Sequence, residues 1–125
     1  MNDFEDMATK MKILKSKTSF QRDAYVFLME ALSFTVSQLP TPRHITGLEL
    51  LEGIRNYARN QYGKMAKTVL NHWKIFTTDD FGRMVFDLVD VGILKKQPED
   101  KIEDFHAIYN FDTAFLHPDQ FADNS

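Results

Sequence analysis

Arg55 and Arg59 stand four residues apart, a spacing that sets two guanidinium groups on one face of a helix, with Asn56 and Asn60 beside them. Lys64 and Lys67 follow at once. Arginine and lysine neutralise phosphates, and arginine and asparagine also read base edges. Arg55, Arg59, Lys64 and Lys67 are therefore the candidate nucleic-acid-binding residues. Lys10, Lys12, Lys15 and Lys17, in a stretch without acids between Met7 and Arg22, would add to that surface. The competing explanation is structural: every amphipathic surface helix needs a polar face, and charge runs are usually solvated.

A second group is acidic. Asp87 and Asp90 are three residues apart in the run TTDDFGRMVFDLVDVGILKK, so they share a helix face. They are the candidate protein-interface residues. The same run has the order of a capped helix, a glycine stop and a short apolar strand, which is how a winged-helix recognition helix meets its wing. DNA reading through this helix is not expected. It offers Arg83 against Asp79, Asp80, Asp87 and Asp90, and phosphate neutralisation dominates DNA affinity. An acidic face for a basic partner, or a purely structural helix, fits these residues better.

The histidines, His44, His72, His106 and His117, carry no metal spacing apart from His117-Pro-Asp119 near the end of the sequence. Structural and catalytic metal sites need three or four converging ligands. No P-loop, dinucleotide fingerprint, G-x-S-x-G or H-E-x-x-H motif occurs. The chain has no cysteine, which removes disulfides, thiolate catalysis and cysteine-based zinc sites. The neighbouring carboxylates Asp79/Asp80 read as helix-cap chemistry, and Glu103/Asp104 as loop charge. No catalytic, cofactor-binding or metal residue is assigned, and the protein is expected not to be an enzyme and to need no cofactor.

The net charge of −3 conceals a gradient. Residues 44–76 carry five Lys/Arg against two Asp/Glu, whereas residues 77–104 carry four against eight and residues 105–125 none against three. Opposite-signed patches on one molecule suit a protein partner or head-to-tail self-association. Apolar runs are too short for a membrane span, and the first residues lack the apolar core of a signal peptide, so a cytoplasmic protein is expected.

The elements that must position these groups follow from periodicity. The 125 residues suit one domain. Phe4, Met7, Met11 and Leu14 mark a short helix or arm over 1–17. A helix over 18–39 starts with Thr18 and Gln21 at capping-box spacing and ends at Pro40 and Pro42. Thr46 and Glu49 form a second box, opening a helix over 47–62 that buries Leu48, Leu51, Ile54, Ala58 and Tyr62 and stops at Gly63. A short helix over 64–73 precedes one capped by Thr77, whose stripe of Phe81, Met84, Val85, Leu88 and Val91 is widened by Phe86 and Val89. Gly92 ends it. Residues 93–97 and 105–111 predict a β-hairpin, because Phe105, Ala107, Tyr109 and Phe111 fall at every second position. Residues 112–125 form a tail.

The run TGLELLEGIRNYARNQYGKMAKTVLNHWKIFTTDDFGRMVFDLVDVGILKK resembles a family of small bacterial proteins with no assigned activity. The shared residues are Gly47 to Arg55, Tyr62 to Leu70, Trp73, Asp80 to Val89, Gly92 to Leu94 and Asp104 to Phe111, and the likeness covers about residues 43–115. It departs at Lys74, where the pattern leads to glycine, and in the N-terminal third. The resemblance implies a cytoplasmic bacterial protein and no particular chemistry. The expected architecture is mainly α (α+β): a four-to-five-helix orthogonal bundle with a C-terminal β-hairpin, winged-helix-like. The expected function is a non-catalytic interaction module that binds a protein partner or itself, with nucleic-acid binding through residues 55–74 and the N-terminal lysines as the alternative.

Overall fold

Two helices set the frame, and a glycine decides how near they come. A computed structural model describes residues 3–18 and 20–116, with the side chains of residues 3–6 and 17 outside that description. Helix α1 (Asp3–Lys17) is followed by α2 (Arg22–Ser37) and α3 (Gly47–Tyr62). Ala24, Phe27, Leu28 and Ala31 of α2 are buried, as are Leu51, Ile54 and Ala58 of α3. Where the two helices meet, a Cβ on Gly53 would fall 1.7 Å from Thr35 Oγ1, so only glycine allows this approach. The Thr35 hydroxyl is turned back onto the Ala31 carbonyl at 2.7 Å.

The helix starts show which capping signals are local. The Thr46 box forms: Glu49 N donates to Thr46 Oγ1 at 3.1 Å and Thr46 N donates to Glu49 Oε1 at 2.9 Å. The Thr77 box forms with Asp80, whose Oδ2 accepts from Phe76 N at 2.8 Å and Thr77 N at 3.1 Å. The Thr18 box does not form. Gln21 is the N-cap of α2 and makes no side-chain cap bond. Thr18 Oγ1 instead accepts from Phe20 N at 3.2 Å and lies 2.8 Å from the Tyr25 hydroxyl, which is 3.1 Å from Asp87 Oδ2. The carboxylate only accepts, so Tyr25 donates to Asp87 and Thr18 donates to the tyrosine oxygen.

After the turn Gly63–Met65 come α4 (Ala66–His72) and α5 (Thr78–Asp90), and these two helices end alike. Ile75 N donates to Leu70 O at 3.0 Å and Lys74 N to Asn71 O at 2.9 Å. Ile93 N donates to Leu88 O at 2.8 Å and Gly92 N to Val89 O at 3.0 Å. Both are Schellman ends, which need a left-handed residue after the cap. Gly92 supplies it at φ 82°, whereas α4 uses Lys74 at φ 66°. Lys10 Nζ donates to the Gly92 carbonyl at 3.0 Å and ties α1 to the end of α5.

The expected C-terminal hairpin is overturned. Among the described residues there is no strand, and so no wing and no winged-helix architecture; the described chain is helical. Residues 93–101 are turns and irregular chain, Ile102–Phe105 is a 3₁₀ turn, and Phe111–Ala114 is the short α6. The backbone groups a hairpin would pair find other partners. Thr78, fully buried, donates its hydroxyl to Phe105 O at 2.7 Å and accepts from Ile108 N at 3.1 Å. Gln97 N is capped by Asp100 at 2.7 Å and Lys101 N by Asp104 at 3.1 Å. Ala107 at φ 48° breaks the extended path. Of the four alternating residues Phe105 and Phe111 are inside and Tyr109 is half-buried, but Ala107 is exposed, and Phe105 serves as a knob rather than as part of a ladder. The Phe105 ring lies 3.0 Å from where a Cβ on Gly47 would be, and its own Cβ 2.7 Å from one on Gly82.

The core is aromatic, as the phenylalanine content suggests. Phe27 meets Tyr57 and Trp73 at 5.6 Å, and Phe81, Phe111 and Phe115 pack in series, the last two edge to face. One position of the α3 stripe departs from expectation: Leu51, Ile54 and Ala58 are buried, but Leu48 is 54% exposed, and Leu50, beside the stripe, is buried. No described helix is long and apolar enough to cross a membrane.

Candidate functional site

The basic face of α3 and α4 is partly consumed by the chain itself. Arg55 Nε donates to the Ala114 carbonyl at 3.3 Å, and its Nη1 meets Glu52 at 3.3 Å. Lys67 forms an ion pair with Asp112. Two of the four candidate cations thus seat α6 on the bundle. Arg59 is half-buried and Lys64 exposed. The acidic candidates also divide: Asp87 is half-buried and bound to Tyr25, and Asp90 is exposed. Arg83 is paired with Asp80 in its own helix.

The histidines are rim and surface groups. His44 Nε2 lies 2.9 Å from Asp100, and His106 Nδ1 lies 2.9 Å from Asp79. The His106 hydrogen bond holds the Asp79 carboxyl below its usual range. His72 is exposed, and His117 and Asp119 lie outside the described residues. Among the described residues no three His, Asp or Glu side chains come together as a metal site.

What the structure adds is a cleft of about 180 Å³ between α2, α3, α5 and the chain from Leu94 to Phe105. Its floor is apolar. Leu32 and Val36 come from α2, Leu50 from α3, and Val85, Phe86 and Val89 from α5. All but Leu50 are half-buried, so the bundle leaves them short of apolar neighbours on one side. Ile45, Leu94 and Phe105 close the ends. The charged lining groups are Arg43, His44, Lys95, Lys96 and Lys101, all exposed and so placed at the rim, with Asp100 and Asp104 half-buried beside them.

The rim charges are not equally available. Arg43 binds Glu49 through two bonds, 3.1 Å and 2.8 Å, and Glu49 also completes the Thr46 box. That guanidinium, first, and the Thr46 backbone, second, lower the Glu49 carboxyl to about 2. Asp100 is held by Gln97 N and His44, and Asp104 by Lys101 N. Lys95, Lys96 and Lys101 are exposed and in no ion pair among the described residues; Lys96 reaches only the Gln97 carbonyl at 3.4 Å. The rim is therefore locally basic on a protein of net charge −3.

Sequence reasoning did not find this cleft, because its lining comes from four separated segments. One trace was present. The apolar stripe of α5 is too wide for a helix with one covered face, with Phe86 and Val89 outside the stripe of Phe81, Met84 and Leu88. No protein-family profile matches the chain, and no curated protein or solved structure shows detectable similarity to it.

Proposed function

We propose that the protein is a non-catalytic interaction module that takes a bulky apolar side chain of a partner protein into the cleft between α2, α3 and α5. The observation that carries this reading is the division of the cleft into an apolar floor and a charged rim. Protein interfaces concentrate their energy in such a desolvated pocket ringed by polar groups. Sites for cofactors and drug-sized ligands usually run from about 300 to 1,000 Å³ and carry polar groups within them. Here the volume is about 180 Å³ and the floor has no titratable side chain. The nucleic-acid alternative loses support, because Arg55 and Lys67 are engaged with Ala114 and Asp112. The cytoplasmic location remains part of this proposal, supported by the sequence resemblance.

The test is selection from a random peptide display library on the full chain and on Val89→Trp, which fills the cleft. Thermal unfolding of the variant checks that it folds. Enriched peptides that share one large apolar residue, bind the parent chain, and are lost on Val89→Trp support the reading. Peptides indifferent to Val89→Trp, or no enrichment at all, overturn it. Loss of the same peptides on Arg55→Glu/Arg59→Glu, with Val89→Trp silent, would move the site to the basic face.

A further inference from the structure

The lysines on the rim carry the reading one step further, to the chemistry of what surrounds the anchor. We infer that the cleft takes its apolar anchor from an acidic segment, with Asp or Glu on one or both sides of the inserted side chain. This rests on the cleft being the binding site.

The inference is one of charge complementarity at a defined place. Seven charged or titratable side chains border the cleft, and four of them already have partners. Arg43 is occupied by Glu49, His44 and Asp100 by one another, and Asp104 by a backbone N–H. What remains is Lys95, Lys96 and Lys101, three ammonium groups on the irregular segment 94–101 that lines the cleft, with no carboxylate partner of their own among the described residues. No carboxylate of the described chain pairs with them, although acids abound nearby in the sequence, at Glu99 and Glu103. A basic flank on an incoming segment would meet three like charges, which the Asp100 and Asp104 carboxylates, still charged in their backbone hydrogen bonds, offset only in part. An acidic flank would meet opposite ones at the range where surface charges still act, within about 10 Å at 0.1 M salt.

The lysines have long apolar stems, so they can also lie along the entering side chain and keep their charge in water. A free amphiphilic anion has the same two features in one molecule. The observations favour the segment over such a molecule, because the cavity is too small to enclose a chain of drug size and the cations are spread along residues 95–101 rather than gathered at one end. The amphiphile is kept as an outcome of the test.

The experiment is the peptide selection repeated on the full chain and on Lys95→Glu/Lys96→Glu/Lys101→Glu, with the flanking residues of enriched peptides scored for charge. Laurate is run in parallel as the small-amphiphile probe, read by chemical shifts at Val85 and Val89. The expected result is an apolar anchor with acidic flanks on the parent chain. On the triple variant the anchor persists and the flanks turn neutral or basic. Parent peptides should bind the variant about tenfold or more weakly, mainly through slower association, as rim charges act. Apolar anchors with neutral or basic flanks on the parent chain overturn this inference and leave the cleft reading intact. No apolar anchor overturns both. Laurate binding with no peptide enriched overturns the segment in favour of a small amphiphile.

Discussion

Lys74→Gly should stabilise the protein, and the size of the effect follows from the end of α4. Lys74 holds the left-handed position of a Schellman motif at φ 66°, with both of the motif's backbone bonds formed. A Cβ in that region costs about 1–2 kcal/mol for an ordinary L-residue. Glycine removes this cost, but it widens the unfolded ensemble, which offsets about 0.4–1 kcal/mol. The lysine also borders a shallow hollow with Asp80, Asp87 and Asp90, and the lost surface attraction takes away a few tenths more. The net expectation is a gain of about 0.5 kcal/mol. For a chain of this length that is a rise in Tm of about 2 °C. Urea unfolding and calorimetry of the parent, Lys74→Gly and Lys74→Ala chains would measure it. Lys74→Ala keeps the Cβ and should gain nothing. Gly92→Ala provides the mirror test, since it places a Cβ at φ 82° and should cost about 1 kcal/mol or more. The reasoning is refuted if Lys74→Ala stabilises as much as Lys74→Gly, for the lysine side chain and not its backbone would then be the source of strain.

Other consequences can be checked alongside. Thr78→Val keeps the shape of a fully buried residue but leaves Phe105 O and Ile108 N without their partner, so it should cost about 2–4 kcal/mol in urea unfolding, whereas Thr78→Ser should recover most of the loss. The Glu49 carboxyl should titrate near 2 by NMR, and Arg43→Gln should return it toward its ordinary value of 4.5. Because the folded value is depressed, the stabilising contribution of that pair is present above pH 4.5 and is lost as pH falls toward 2. A Glu49 value that does not move in Arg43→Gln would mean that the Thr46 backbone, not the guanidinium, sets it.

What was legible in the sequence was what a few neighbouring residues decide. Thr46 with Glu49, and Thr77 with the acids after it, cap helices because both partners sit within one turn. Gly63 and Gly92 end helices because their backbone angles suit no other residue as well. Thr18 has equally good spacing and fails, since Tyr25 and Asp87 take its surroundings into a tertiary network. Leu48 and Leu50 are two apart, and only the packing of α2 and α5 against α3 decides that Leu50 goes inside. The hairpin was misread because apolar residues at every second position from Phe105 to Phe111 do not reveal whether the backbone between them pairs with a strand or with the Thr78 hydroxyl. Arg55 looked like a free cation because its partner, the Ala114 carbonyl, lies far along the chain. The cleft had no local signature beyond the excess width of the α5 stripe.

The Phe105 knob has a bearing on how the protein is made. Its slot is formed by Gly47 and Gly82, which leave the ribosome before it does. Synthesis runs at roughly 5–20 residues per second, so the stretch from residue 82 to residue 105 takes about 1–5 s. Until then the slot between α3 and α5 has nothing to fill it. The bundle is therefore closed late, by Phe105 and the core residues that follow it, Phe111 and Phe115, and a nascent chain halted before Phe105 is expected to expose apolar surface rather than form a finished domain. Stop codons late in the gene are thus expected to be far more damaging before this position than after Phe115, the last aromatic residue that the core encloses.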